Sequence, residues 1–152
     1  MIKVQKDFLT ITSAGTKKVG REMAKKILKE GIKKTSCVLA LEGDLGGGKT
    51  TFLQGFALGL GIKEKILSPT FVIMKRFQLG VKDFKNFYHL DCYRIKTAED
   101  ILDLDFKNIL SQPENIIAIE WSELIKEVLP ANAILIKFKF IDDKKRKIAV
   151  TI

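Results

Sequence analysis

The chain has 152 residues, 46% of them hydrophobic and 30% charged, with two cysteines and a formal net charge of +9. That size and balance predict one soluble domain without disulfide or metal staples, and exclude a disordered or collagenous chain. The longest uncharged stretch, residues 50–62, contains Gln54 and three glycines and is too short for the ~20 residues of a membrane span.

The charge is uneven. Residues 1–76 carry 15 Lys+Arg against 6 Asp+Glu, whereas residues 77–152 carry 12 of each. Only Arg21, Arg76, Arg94 and Arg146 are arginines. Two readings stay open: a lysine-rich solvated surface, or a basic face that meets RNA or an acidic partner. Cys37 and Cys92 follow no disulfide or zinc spacing and suit a reducing cytoplasm. Residues 1–7 lack the apolar core of a secretory signal.

In chain order, residues 14–30 read as an amphipathic helix. Val19, Met23, Ala24, Ile27 and Leu28 recur at three- and four-residue spacing, with Gly31 as its stop. Residues 37–41 form an apolar run without alternation, which predicts a strand covered on both faces. A glycine-dense loop and a helix over 49–60 follow. Strands are expected over 71–77 and 86–90, then a helix over 97–110 opened by Thr97 with Asp100. Residues 116–119 read as a buried strand and 122–129 as a short helix. Residues 133–141 and 146–152 read as a hairpin. The parts predict an α/β fold in one domain, 1–152. Its central sheet is mainly parallel, with antiparallel edge strands and helices on both faces.

Gly43, Asp44, Leu45, Gly46, Gly47, Gly48, Lys49 and Thr50 fit G-x-x-x-x-G-K-[ST], the phosphate-binding P-loop. Polyphosphate must lie against bare backbone N–H groups, so glycines suit the loop, and the following helix N-terminus adds partial positive charge. Lys49 brings a cation to the β- and γ-phosphates, and the Thr50 hydroxyl is a hard oxygen ligand for Mg²⁺. Thr51 fits either an α-phosphate contact or an ordinary helix-start hydroxyl. Asp91 and Glu120 each follow an apolar run and are expected at strand C-terminal ends, where α/β sheets bind ligands. They are the candidate metal or catalytic carboxylates, the alternative being salt-bridged strand ends. His89 fits a hydrogen-bonded structural residue or a positioning one. Trp121 fits a core position or a stacking or partner contact. Thr70 lies where many P-loop proteins keep a nucleotide-sensing loop.

No Asn-Lys-x-Asp or Leu-Ser-Gly-Gly string occurs, which argues against GTPases and transporter ATPases. Four scattered arginines poorly supply the phosphate clamp of a small-molecule or nucleoside kinase, the alternative reading. The segments Gly43–Phe52, Ser68-Pro69-Thr70-Phe71, Tyr88-His89-x-Asp91-x-Tyr93-Arg94 and Ile119-Glu120-Trp121, with Leu129-Pro130 beyond, resemble the TsaE (YjeE) family. These are small P-loop ATPases of tRNA threonylcarbamoyladenosine synthesis. The resemblance implies a cytoplasmic, Mg²⁺-dependent ATPase that binds ATP, acts with TsaB and TsaD, and meets tRNA through that complex. It makes Ser68 to Phe71 and His89 to Arg94 switch-like segments, assigns Mg²⁺ to Asp91 and a Walker-B-like task to Glu120, and makes Trp121 functionally required. No arginine finger is evident, so hydrolysis by the isolated chain is expected to be slow.

Overall fold

The computed structural model describes residues 3–44, 46, 48–67 and 73–152. Seven strands form one sheet: β1 (Gln5–Thr10), β2 (Cys37–Gly43), β3 (Met74–Gln78), β4 (Asn86–Asp91), β5 (Asn115–Glu120), β6 (Ile134–Phe140) and β7 (Arg146–Thr151). Their order is β1-β7-β6-β2-β5-β4-β3. The pairs β6–β2, β2–β5 and β5–β4 are parallel, and β1–β7, β7–β6 and β4–β3 are antiparallel. The expected mixed sheet is therefore present.

The central strands are buried on both faces, as their unbroken apolar runs require; every residue of β5 is buried. Helices α1 (Ser13–Glu30) and α2 (Lys49–Gly59) cover one face. Leu39, Leu41, Phe52, Phe56, Phe87, Ile116 and Phe138 fill the space between. On the other face lie α3 (Glu99–Leu102), α4 (Phe106–Ser111) and a 3₁₀ segment, Ser122–Val128. They close a second core around Val38, Leu90, Ile101, Phe106, Ile117 and Ile119.

Helix α1 starts where Thr12 accepts a bond from the Gly15 N–H at 2.9 Å, an N-cap, and stops at Gly31. It packs on α2 at close range. A Cβ on Gly20 would lie 2.1 Å from the Phe52 carbonyl oxygen, and one on Gly55 1.9 Å from that of Lys17.

Two expectations change. The helix over 97–110 is broken into α3 and α4, with Asp105 left-handed at φ 62°. Ile101 and Phe106 are both fully buried. In one continuous helix, five residues apart, they would diverge by roughly 140°; the break turns both inward. Asp100 accepts bonds from the N–H groups of Lys96 and Thr97, which sets the start of α3. Strand β1 was not anticipated. It is an edge strand in which only Thr10 is fully buried, so the sequence carries no alternation to read. Residues 71 and 72 of the expected third strand lie outside the described residues.

Candidate functional site

The site sits at the C-terminal ends of β2, β5 and β4. Register places Leu41 beside Glu120 and Glu120 beside Asp91 on adjacent parallel strands, so both predicted carboxylates reach the loop that leaves β2. That loop begins at Gly43, with φ 135°, and a Cβ there would lie 2.1 Å from the Phe138 carbonyl oxygen. Gly48, left-handed at φ 101°, caps α2 without any side-chain bond. A helix start of this kind turns its N–H donors and partial positive charge toward an anion. Leu45, Gly47, Ser68 and Thr70 lie outside the described residues.

Lys49, 6% exposed, donates from Nζ to the carbonyl oxygens of Gly43 at 2.8 Å and Asp44 at 2.9 Å. Its ammonium lies 4.2 Å from the centre of the Trp121 ring. Burial holds this ammonium below its ordinary value, against the opposing pull of Glu120. A group so held gains from a polyphosphate that replaces the carbonyls with full negative charge.

Thr50 donates its hydroxyl to Glu120 Oε1 at 2.9 Å. The other oxygen, Oε2, is 2.7 Å from His89 Nε2. His89 and Glu120 are 1% and 2% exposed. A carboxylate removed from water needs such partners; here they join the P-loop helix, β5 and β4 in one bonded chain. Thr51 follows, half-buried in the first turn of α2.

Asp91 is half-buried and accepts the Tyr93 N–H at 3.0 Å. Burial raises its carboxyl above the ordinary value, an effect that this bond opposes. Glu123 behaves alike: its Oε2 is buried with no bond partner, and burial raises it. Arg94 is exposed beyond β4. Trp121 is left-handed at φ 58°, and its ring centre is 5.1 Å from that of Tyr93. Ser122 donates to the Leu41 carbonyl at 3.2 Å and ties the 3₁₀ segment to the end of β2.

Sequence reasoning missed Arg146. From the start of β7 its Nε donates to the Gly46 carbonyl at 2.8 Å, a hundred residues away, and Nη1 donates to the Lys145 carbonyl at 3.1 Å and to that of Asp142. Its guanidinium lies 4.5 Å from the centre of the Phe140 ring. The only sequence signal was an arginine just after the hairpin turn.

Among the described residues, no group of three or more His, Cys, Asp or Glu could hold a metal. Thr50, Glu120 and Asp91 offer instead a few hard oxygens beside a phosphate loop, the donor set for Mg²⁺ shared with a nucleotide. Burial disfavours the charged form of Asp91, a cost that a cation bound beside it would offset.

Residues 10–148 match the family described as Threonylcarbamoyl adenosine biosynthesis protein TsaE. The chain belongs to the TsaE family. It is 43% identical over 114 residues to the TsaE protein of Bacillus subtilis (strain 168), covering 75% of this chain and 68% of that one. To TsaE of Rickettsia typhi it is 39% identical over 122 residues, 80% of this chain and 81% of that one. To TsaE of Treponema pallidum it is 35% identical over 113 residues, 74% and 80%. Among solved structures, Bacillus subtilis YdiB superposes with a TM-score of 0.73 at 33% identity, covering 99% of this chain and 87% of that one. The TsaE resemblance carried by the P-loop, Asp91, Glu120 and Trp121 segments is thus confirmed over most of the chain.

Proposed function

We propose that this chain is a single P-loop ATPase domain that binds ATP with Mg²⁺ and serves tRNA threonylcarbamoyladenosine synthesis in the cytoplasm, acting with TsaB and TsaD. Its role in tRNA modification is carried through that complex. Family membership supports the pathway, and the Thr50–Glu120–His89 chain beside Lys49 supports the chemistry. No helix among the described residues is long and apolar enough to cross a membrane.

The loop from Gly43 to Gly48 and the first turn of α2 hold the phosphates through backbone N–H groups. Lys49 leaves the Gly43 and Asp44 carbonyls for the β- and γ-phosphate oxygens. Thr50, Asp91 and Glu120 would hold Mg²⁺, which would neutralise phosphate charge there. Glu120, oriented by His89, accepts the proton of the attacking water. Trp121 lies on Lys49 and so responds to occupancy of the site, while Ser68, Thr70 and Arg94 would act as switch residues between nucleotide and partner. No arginine finger is evident in the sequence, so hydrolysis by the isolated chain should be slow and should rise in the complex.

Trp121 is the only tryptophan, which makes its emission a direct reporter. Adding ATP with Mg²⁺ should change that emission as Lys49 leaves the ring, and Lys49→Ala should abolish both the change and nucleotide affinity by calorimetry. Unchanged affinity in Lys49→Ala would sink the site. Fast phosphate release by the isolated chain, with no rise on adding TsaB and TsaD, would sink the partner dependence. A phosphorylated metabolite in place of free phosphate would favour the kinase reading.

A further inference from the structure

A strongly basic surface that the nucleotide site does not use covers the outside of α1. Residues 13–35 carry eight Lys+Arg against two Asp+Glu, a net of +6 within the chain's +9. The inner face of α1 is taken up by α2 through the Gly20 and Gly55 contacts. Lys18, Arg21, Lys25, Lys26 and Lys29 are consequently exposed. At 100° per residue, Lys18, Arg21, Lys25 and Lys29 fall in a sector of about 80°, over about 16 Å of helix. Lys25 pairs with Glu22 at 3.9 Å and Lys33 with Glu30 at 3.8 Å. Among the described residues no carboxylate pairs with Lys18, Arg21, Lys26 or Lys29.

The kind of polyanion follows from what the face lacks. Between Ser13 and Glu30 no large hydrophobic side chain is exposed. The centres of protein interfaces are poor in lysine and anchored by aromatic or aliphatic side chains. A phosphate backbone is met by lysines as point charges, with no apolar anchor. One arginine among these exposed cations gives little means of reading base edges. We propose that the outer face of α1 binds RNA through its sugar–phosphate backbone, without base specificity. Helices α1 and α2 run parallel: a Cβ on Gly48 would lie 3.5 Å from Thr16, and one on Gly59 2.7 Å from Ala24. The bound strand therefore lies along a helix whose first turn borders the phosphate loop. This inference does not depend on which nucleotide the loop holds.

The test is fluorescence anisotropy of the full chain with a fluorescein-labelled RNA hairpin, in KCl from about 50 to about 200 mM. Four unpaired cations acting as phosphate contacts give a log–log salt slope of about −2.8 to −3.6, so affinity falls roughly 50- to 150-fold over that range. The variant Lys18→Gln, Lys26→Gln, Lys29→Gln changes only exposed side chains. It should keep its thermal midpoint and nucleotide affinity, and its salt dependence should shrink to about threefold. Lys137→Gln with Lys139→Gln, on the opposite face, should keep the parent slope. The proposal is overturned if the α1 variant keeps the parent slope, if no RNA binds at the lowest salt, or if polyglutamate displaces the RNA at equal charge concentration. That last result would make an acidic protein the occupant.

Discussion

Gly43→Ala tests how the phosphate loop is held against the sheet, with Gly46→Ala as its matched control. Both glycines have positive φ, 135° and 77°. They differ in what surrounds them. A Cβ at Gly43 would meet the Phe138 oxygen at 2.1 Å and its carbonyl carbon at 2.9 Å, whereas one at Gly46 meets nothing within 4 Å among the described residues. Gly46→Ala therefore carries backbone strain alone, about 1–2 kcal/mol for an L-residue in the left-handed region. Gly43→Ala carries strain of about 1–3 kcal/mol and, because β6 backbone must move, a further 1–3 kcal/mol or so of overpacking. Its loss should be about 2–6 kcal/mol, a large part of the ~5–15 kcal/mol that stabilises a domain. At roughly 2–4 °C per kcal/mol for this size, a mid-range loss lowers the thermal midpoint by about 8–16 °C, against about 2–8 °C for Gly46→Ala. Urea unfolding with parallel thermal melts measures both. If the two variants lose equal stability within ~0.5 kcal/mol, the close approach of β6 is not what requires glycine at position 43.

Two further outcomes follow from the site. Burial raises the Asp91 carboxyl above its ordinary value of 3.8, so the folded chain binds that proton more tightly than the unfolded one. Its stabilisation is present below that value and is lost as pH rises through the folded value. Asp91→Asn should thus melt higher than the parent near pH 7 and coincide with it below about pH 3.8; a variant less stable near neutrality refutes this. Arg146→Ala removes the charged donor on the Gly46 carbonyl, a bond worth about 1.5–3 kcal/mol. ATP affinity by calorimetry should fall roughly 10- to 100-fold, and parent-like affinity would show that the loop holds its shape without the tether.

The site was legible where its signal was local. Gly43 to Thr50 is contiguous, and Asp91 and Glu120 each close an apolar run, so the sheet alone brings them abreast. The 2.7 Å His89–Glu120 contact was not legible, because it depends on register between β4 and β5. Arg146 was invisible for the same reason on a larger scale: its partner is a backbone carbonyl, which leaves no trace in residue type. The break at Asp105 escaped because the local spacing of 97–110 satisfied a helix, and only the joint burial of Ile101 and Phe106 demanded two.

The tether from Arg146 also sets a clock. Strand β7 supplies the arginine that holds Gly46, and it is the strand with which β1 pairs, Thr10 against Arg146 and Gln5 against Thr151. A ribosome adding about 5–20 residues per second reaches residue 146 roughly 5–20 s after it has made the phosphate loop. For that interval the nascent chain carries the complete P-loop string with neither its tether nor the partner of its first strand. A chain stalled before residue 146 therefore carries the motif without the bond that holds the Gly46 carbonyl.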